Sequence, residues 1–101
     1  MQILFGNPGS GKTKALLEMS AKNGIPVLCE SEARVQRLLY KAQGYGVKIP
    51  MPITINQLNE GIKAVYIDDV KRLVEVVLKV DLRAITVNRD EECEVIDLDA
   101  R

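Results

Sequence analysis

A chain of 101 residues holds one α/β domain spanning 1–101 and leaves no room for a second. Hydrophobic residues make up 47%, which excludes a disordered chain, and aromatics only 4%, with no Trp, which argues against a base-stacking surface. Basic and acidic side chains balance at 14 each, so the chain lacks the basic excess of a dedicated nucleic-acid binder.

The balance is uneven along the chain. Residues 1–88 carry 12 basic and 8 acidic groups, whereas residues 89–101 carry 2 and 6. A mildly basic body suits phosphate ligands. The acidic end reads as a solvated edge, or alternatively as a strip that docks a partner or mimics nucleic acid. Cys29 and Cys93 stand apart, with no CxxC pair and no His, so no zinc site is expected; two buried free thiols in a reducing compartment fit better than a disulfide. The apolar start Ile3-Leu4-Phe5 ends at once in Gly6, unlike a signal peptide, and no apolar stretch approaches spanning length. The expectation is a cytoplasmic protein with no membrane partner.

In chain order, residues 2–5 form a short apolar run stopped by Gly6, as a buried first strand would be. From Gly11 to about Lys22, Ala15, Leu16 and Met19 recur at helical spacing, and Asn23-Gly24 supplies a stop. Residues 26–29 read as a second strand. Ser31 and Glu32 open a second helix with Val35, Leu38, Leu39 and Ala42 on its apolar face, ended by Gly44 and Gly46. Pro50-Met51-Pro52 enforces extended chain, then residues 53–55 form a short strand and a helical turn runs to Leu58.

Residues 64–67 make an apolar, β-favouring run that ends in Asp68 and Asp69. Leu73, Val74, Val77 and Leu78 stripe a helix over residues 70–80. Residues 83–87 read as the next strand, ending at Asn88, and residues 93–98 as a last one. This alternation predicts a three-layer α/β sandwich: a mainly parallel sheet of about four to five strands with helices on both faces. Ligands would bind at the carboxyl ends of its strands.

The segment Gly6-Asn7-Pro8-Gly9-Ser10-Gly11-Lys12-Thr13 matches the pattern G-x-x-x-x-G-K-[ST] between a predicted strand and a predicted helix. Its glycines let the backbone curl against an anion, so that successive amides and the helix dipole face a phosphate chain. Lys12 is expected on the β- and γ-phosphates, and the Thr13 hydroxyl on Mg²⁺. Asp68, at the end of a buried strand, is the natural second metal partner, or else a solvated terminus or cap. Asp69 either activates water or caps the helix that begins at Val70.

These motifs resemble the ASCE branch of P-loop NTPases, which includes AAA+ ATPases, RecA-like ATPases and helicases. The likeness spans about residues 1–88, with GNPGSGKT close to the AAA+ cradle and VYIDD similar to the second Walker motif. It implies a minimal P-loop NTPase fold, ATP and Mg²⁺ as ligands, a catalytic-base role for Asp69 in place of the usual glutamate, and a sensor role for Asn88. The alternative for Asn88 is a turn former. Thr54 in Ile53-Thr54-Ile55 faintly resembles a DNA-contacting helicase threonine, with a short strand plus cap as the alternative. No AAA+ lid or second helicase domain is present, and the size is similar to that of short phage-encoded NTPases. An arginine finger would then come from a homo-oligomer or another protein partner; Arg72, Arg89 and Arg101 are the candidates on this chain.

Three functions compete. The first is an ATPase, slow or stimulated by a partner, associated with nucleic-acid metabolism, in which Lys12 and the cradle amides hold phosphates, Asp68 the metal and Asp69 the water. The second is a small nucleoside or nucleotide kinase, which lacks an arginine-rich lid here. The third is a nucleotide-binding regulator or decoy without turnover. No NKxD guanine reader is present, which favours ATP over GTP.

Overall fold

Glycine and serine set the limits of the first two helices. The computed structural model describes residues 1–89 and 92–99. In chain order it contains β1 (Gln2–Phe5), α1 (Lys12–Asn23), β2 (Leu28–Cys29), α2 (Glu32–Tyr45), β3 (Ile53–Thr54), a 3₁₀ turn (Ile55–Gln57), α3 (Val70–Leu78) and β4 (Glu94–Asp97). The Gly24 amide closes α1 by donating to the Ser20 carbonyl. Ser31 opens α2, its hydroxyl accepting from the Arg34 amide at 3.2 Å. At the other end, Gly46 and Val47 donate to the Gln43 and Ala42 carbonyls, the paired bonds that finish a helix cleanly. Thr54 and Gln57 form a capping box on the 3₁₀ turn, with the Thr54 amide 2.8 Å from Gln57 Oε1.

The strands do not join into the predicted sheet. β1 pairs with β4 in parallel, Gln2 opposite Glu94 through Phe5 opposite Asp97, while β2 pairs with β3 in parallel, Leu28 opposite Ile53. These are two separate two-stranded sheets, so the three-layer sandwich with about four to five strands is overturned. Residues 64–67 supply one bridge, Tyr66 to Val27, instead of a strand. Residues 83–87 pair with no strand among the described residues.

The physical reason lies in how the chain leaves α3. Lys79 turns it with a φ of 55°, and the Leu82 amide then donates to Glu75 Oε2 at 2.8 Å. Lys71, 2.7 Å from the same carboxylate, holds Glu75 below the usual carboxylate range, with the Leu82 amide adding to the effect. The next residues run along the surface, Ile85 62% exposed and Val87 exposed as well, so a β-favouring composition finds no partner edge. Of the expected α3 stripe, Leu73 alone is buried; Val74 is half-buried, and Val77 and Leu78 remain exposed.

The core sits between α1, β2 and α2. Leu17, Val27, Cys29, Val35, Leu38 and Ala42 are buried against one another, with Leu39, Ile49 and Tyr66 at the margin. Ser20 is buried too, and its hydroxyl is satisfied by the Ile25 carbonyl at 2.6 Å. Both cysteines are free thiols, as expected, but only Cys29 is buried; Cys93 is half-exposed. Burial, with Glu30 nearby, pushes the Cys29 thiol up to about 11, so it is a neutral core side chain near neutral pH. No helix among the described residues is long and apolar enough to cross a membrane.

This packing makes a contrast that can be measured. In urea unfolding, Leu38→Ala should lose about 2–5 kcal/mol, because Leu38 is fully enclosed. Ile85→Ala should stay within about 0.5 kcal/mol of wild type. A loss at Ile85 as large as that at Leu38 would mean that residues 83–87 are buried.

Candidate functional site

The loop between β1 and α1 carries residues 6–11, with the left-handed positions at Gly9, φ 86°, and Gly11, φ 88°. A side chain there would be strained by about 1–2 kcal/mol, which is why glycine stands at both. Gly11 is also the N-cap of α1 and offers no capping side chain, so the first-turn amides receive no side-chain acceptor. That is an open helix N-terminus joined to a twisted loop, the arrangement by which backbone amides bind anions.

Three further contacts shape the loop. The Ser10 amide donates to the Asn7 carbonyl at 3.0 Å, closing a turn across Pro8 and Gly9. Lys12 Nζ folds back to donate to the same carbonyl at 3.2 Å. Gly6 lies so close to Ser10 that a Cβ added there would collide with Ser10 Oγ and sit 2.7 Å from Ser10 Cβ. Ser10 Oγ is itself buried and has no hydrogen-bond partner. Outside the loop, Asp99 Oδ2 accepts from the Asn7 amide at 2.6 Å, and the Leu98 amide donates to the Phe5 carbonyl. The chain after β4 therefore braces the start of this loop.

Thr13 and Asp68, 55 residues apart, come together as the sequence suggests. The Thr13 hydroxyl lies 3.1 Å from Asp68 Oδ1 and 3.3 Å from Oδ2. A second partner was not foreseen: Arg34 Nη2, from the first turn of α2, sits 2.7 Å from Asp68 Oδ2, both side chains only 9% exposed. Such a short, charge-assisted contact fixes the carboxylate in place. A hydroxyl and a carboxylate side by side form a hard oxygen pair that fits Mg²⁺, which takes few protein ligands and keeps much of its water. Asp68 Oδ1, the oxygen turned away from Arg34, is the better placed for it. Among the described residues no three His, Cys, Asp or Glu side chains gather into a richer metal site.

Asp69 takes the capping alternative. Its φ is 62°, and its Oδ1 accepts from the Arg72 amide at 3.3 Å at the head of α3. Asn88 is exposed on the unpaired segment, and no hydrogen bond joins it to the cradle. Thr54 likewise serves the short strand and its cap, its hydroxyl 3.4 Å from Gln57 Oε1. Of the finger candidates, Arg72 is engaged within the chain, Nε 3.3 Å from the nearly buried Glu30 carboxylate; Arg89 is exposed, and Arg101 lies outside the described residues. So do Asp90 and Glu91 of the acidic end.

Two hollows flank these groups. A cleft of about 160 Å³ is lined by Gly9, Gly11, Lys12, Thr13, Lys41 and Tyr45. A more open one of about 310 Å³ runs along α3 past Asp69, Lys71, Arg72 and Glu75. The charges of the second are already committed, to the cap and to the Lys71–Glu75 and Arg72–Glu30 pairs. The first adjoins the open amides. Comparison of the chain with protein-family models, curated proteins and solved structures returns no match.

Arg34, Asp99, Lys41 and Tyr45 were missed from the sequence. Arg34 alone left a signal: a basic residue in a helix that starts just past a strand end, the same edge to which Asp68 is delivered.

The buried pair predicts strong coupling. Asp68→Ala should cost about 3–5 kcal/mol of stability by leaving Arg34 charged and unpaired. Arg34→Met combined with Asp68→Ala should cost less than the sum of the single changes, with about 1–3 kcal/mol of interaction energy in a double-mutant cycle read by urea unfolding. Strict additivity would show that the two side chains do not meet.

Proposed function

We propose that the chain is a minimal ASCE-type P-loop protein that binds Mg-ATP and hydrolyses it slowly, or faster when a nucleic-acid or protein partner engages it. The observation that carries this reading is the open N-terminus of α1: left-handed Gly9 and Gly11, uncapped first-turn amides, and Lys12 held on a carbonyl of the same loop. A phosphate chain is a stronger partner for an ammonium than a neutral carbonyl, so Lys12 exchanges one for the other as ligand enters. Thr13 and Asp68 would hold Mg²⁺, in part through water, and the ion would neutralise phosphate charge. Arg34 keeps the Asp68 carboxylate aimed.

Slow turnover follows from Asp69. Its carboxylate is spent on the α3 cap, and aspartate is one methylene shorter than the glutamate usual in this branch. The cap occupies Oδ1 and fixes the orientation of the carboxylate, leaving Oδ2 as the oxygen that could act on water. The same observation favours a second reading, a nucleotide-binding regulator without turnover, because Asp69 as a permanent cap and Asn88 on an exposed segment leave neither expected water-activating group at the cradle.

Single-turnover phosphate release, with protein in excess over labelled Mg-ATP, separates the two. The ATPase reading expects measurable release, at least about 100-fold lower in Lys12→Ala and clearly lower in Asp69→Asn. Release no faster than that of Lys12→Ala, with and without single- or double-stranded DNA, would leave the regulator.

A further inference from the structure

The cleft of about 160 Å³ beside the cradle has a second wall, and that wall belongs to α2. Lys41 and Tyr45 stand four residues apart in the last turns of α2, hence on one face of the helix. They look across the cleft at Gly9, Gly11, Lys12 and Thr13. The lining residues thus include two lysines, a threonine and a tyrosine beside two glycines, and no acidic residue. Lys41 is half-buried and has no ion pair or hydrogen bond among the described residues. Most of the other half-buried charges near the site do have partners: Lys12 is on Asn7, Arg34 on Asp68, Glu30 on Arg72.

Two cations bordering one small hollow repel each other until an anion enters, and the lower the local dielectric, the more an anion gains by entering. A polyphosphate carries more negative charge than Lys12 and one Mg²⁺ can balance. We infer that Lys41 is a second phosphate-binding cation of the cradle, supplied by the same chain, with the Tyr45 hydroxyl as a hydrogen-bond donor beside it. The inference rests on the phosphate-cradle reading and deepens it. The additional positive charge expected from a neighbouring subunit is here present in cis, on the helix that faces α1.

Equilibrium dialysis of the full chain against Mg-ATP and, separately, inorganic tripolyphosphate tests this. Lys41→Gln should weaken both ligands by about tenfold, the loss of one direct charge contact, while Lys41→Arg stays within about threefold of wild type. Lys22→Gln, the same charge change at the far end of α1, should leave affinity unaltered. Matching urea midpoints for wild type and Lys41→Gln establish that the fold is intact, and should Lys41→Gln unfold, Lys41→Met carries the comparison: a tenfold loss in that folded variant supports the proposal, and wild-type affinity overturns it. Wild-type affinity in folded Lys41→Gln overturns the proposal and leaves the cradle standing. So does a loss confined to ATP with tripolyphosphate unaffected, which would put Lys41 on the nucleoside. Failure of the wild-type chain to bind either ligand overturns the cradle and this proposal together.

Discussion

Asp68 is where three parts of the chain are tied together. Its carboxylate receives the Thr13 hydroxyl from the head of α1 and the Arg34 guanidinium from the head of α2, and it stands just after the segment that bridges β2 through Tyr66. Burying an ion pair costs desolvation energy that the pair's own attraction only partly returns, so its net contribution to stability is small. What it supplies is position. With Asp68 held, the first turn of α1 is fixed against α2, and the amides at that end are presented in one orientation.

Around that tie, the chemistry of the site is set by what has been left unsatisfied. The head of α1 has no side-chain cap, whereas α2 and α3 are capped by Ser31 and Asp69. Ser10 Oγ is buried without a partner, and Lys12 makes do with a neutral carbonyl. Of these, the uncapped amides at the head of α1 are the groups that a helix N-terminus offers to an anion. Bracing from outside keeps the loop from relaxing into other contacts: Asp99 holds the Asn7 amide, and the parallel pairing of β1 with β4 fixes the strand from which the loop emerges.

Legibility divided along the range of the interactions. The helix limits at Gly24, Ser31 and Gly46 follow from backbone rules that act within four residues, and each was readable. The left-handed turns at Gly9 and Gly11 were readable for the same reason, since glycine stands where the backbone needs a positive φ. The sheet was not. Residues 83–87 have the composition of a strand, but pairing needs an edge to pair with, and the turn at Lys79 with the Glu75–Leu82 contact carries them along the surface instead. Asp69 shows the limit of a motif: the same aspartate serves as a base or as a helix cap, and the choice depends on a left-handed backbone that the residue type does not announce. Arg34 and Lys41 come near residues 9–13 and Asp68 only because α2 lies against α1; Arg34 left a hint in its place just past a strand end, whereas Lys41 left none.

The central claim is that the amides at the head of α1 grip a polyphosphate. Amide-resolved NMR of the ¹⁵N-labelled chain during titration with Mg-ATP tests it most directly. The account predicts the largest shifts at residues 9–14, saturating with ligand and abolished in Lys12→Ala. Shifts centred elsewhere, or none at millimolar Mg-ATP, would contradict it.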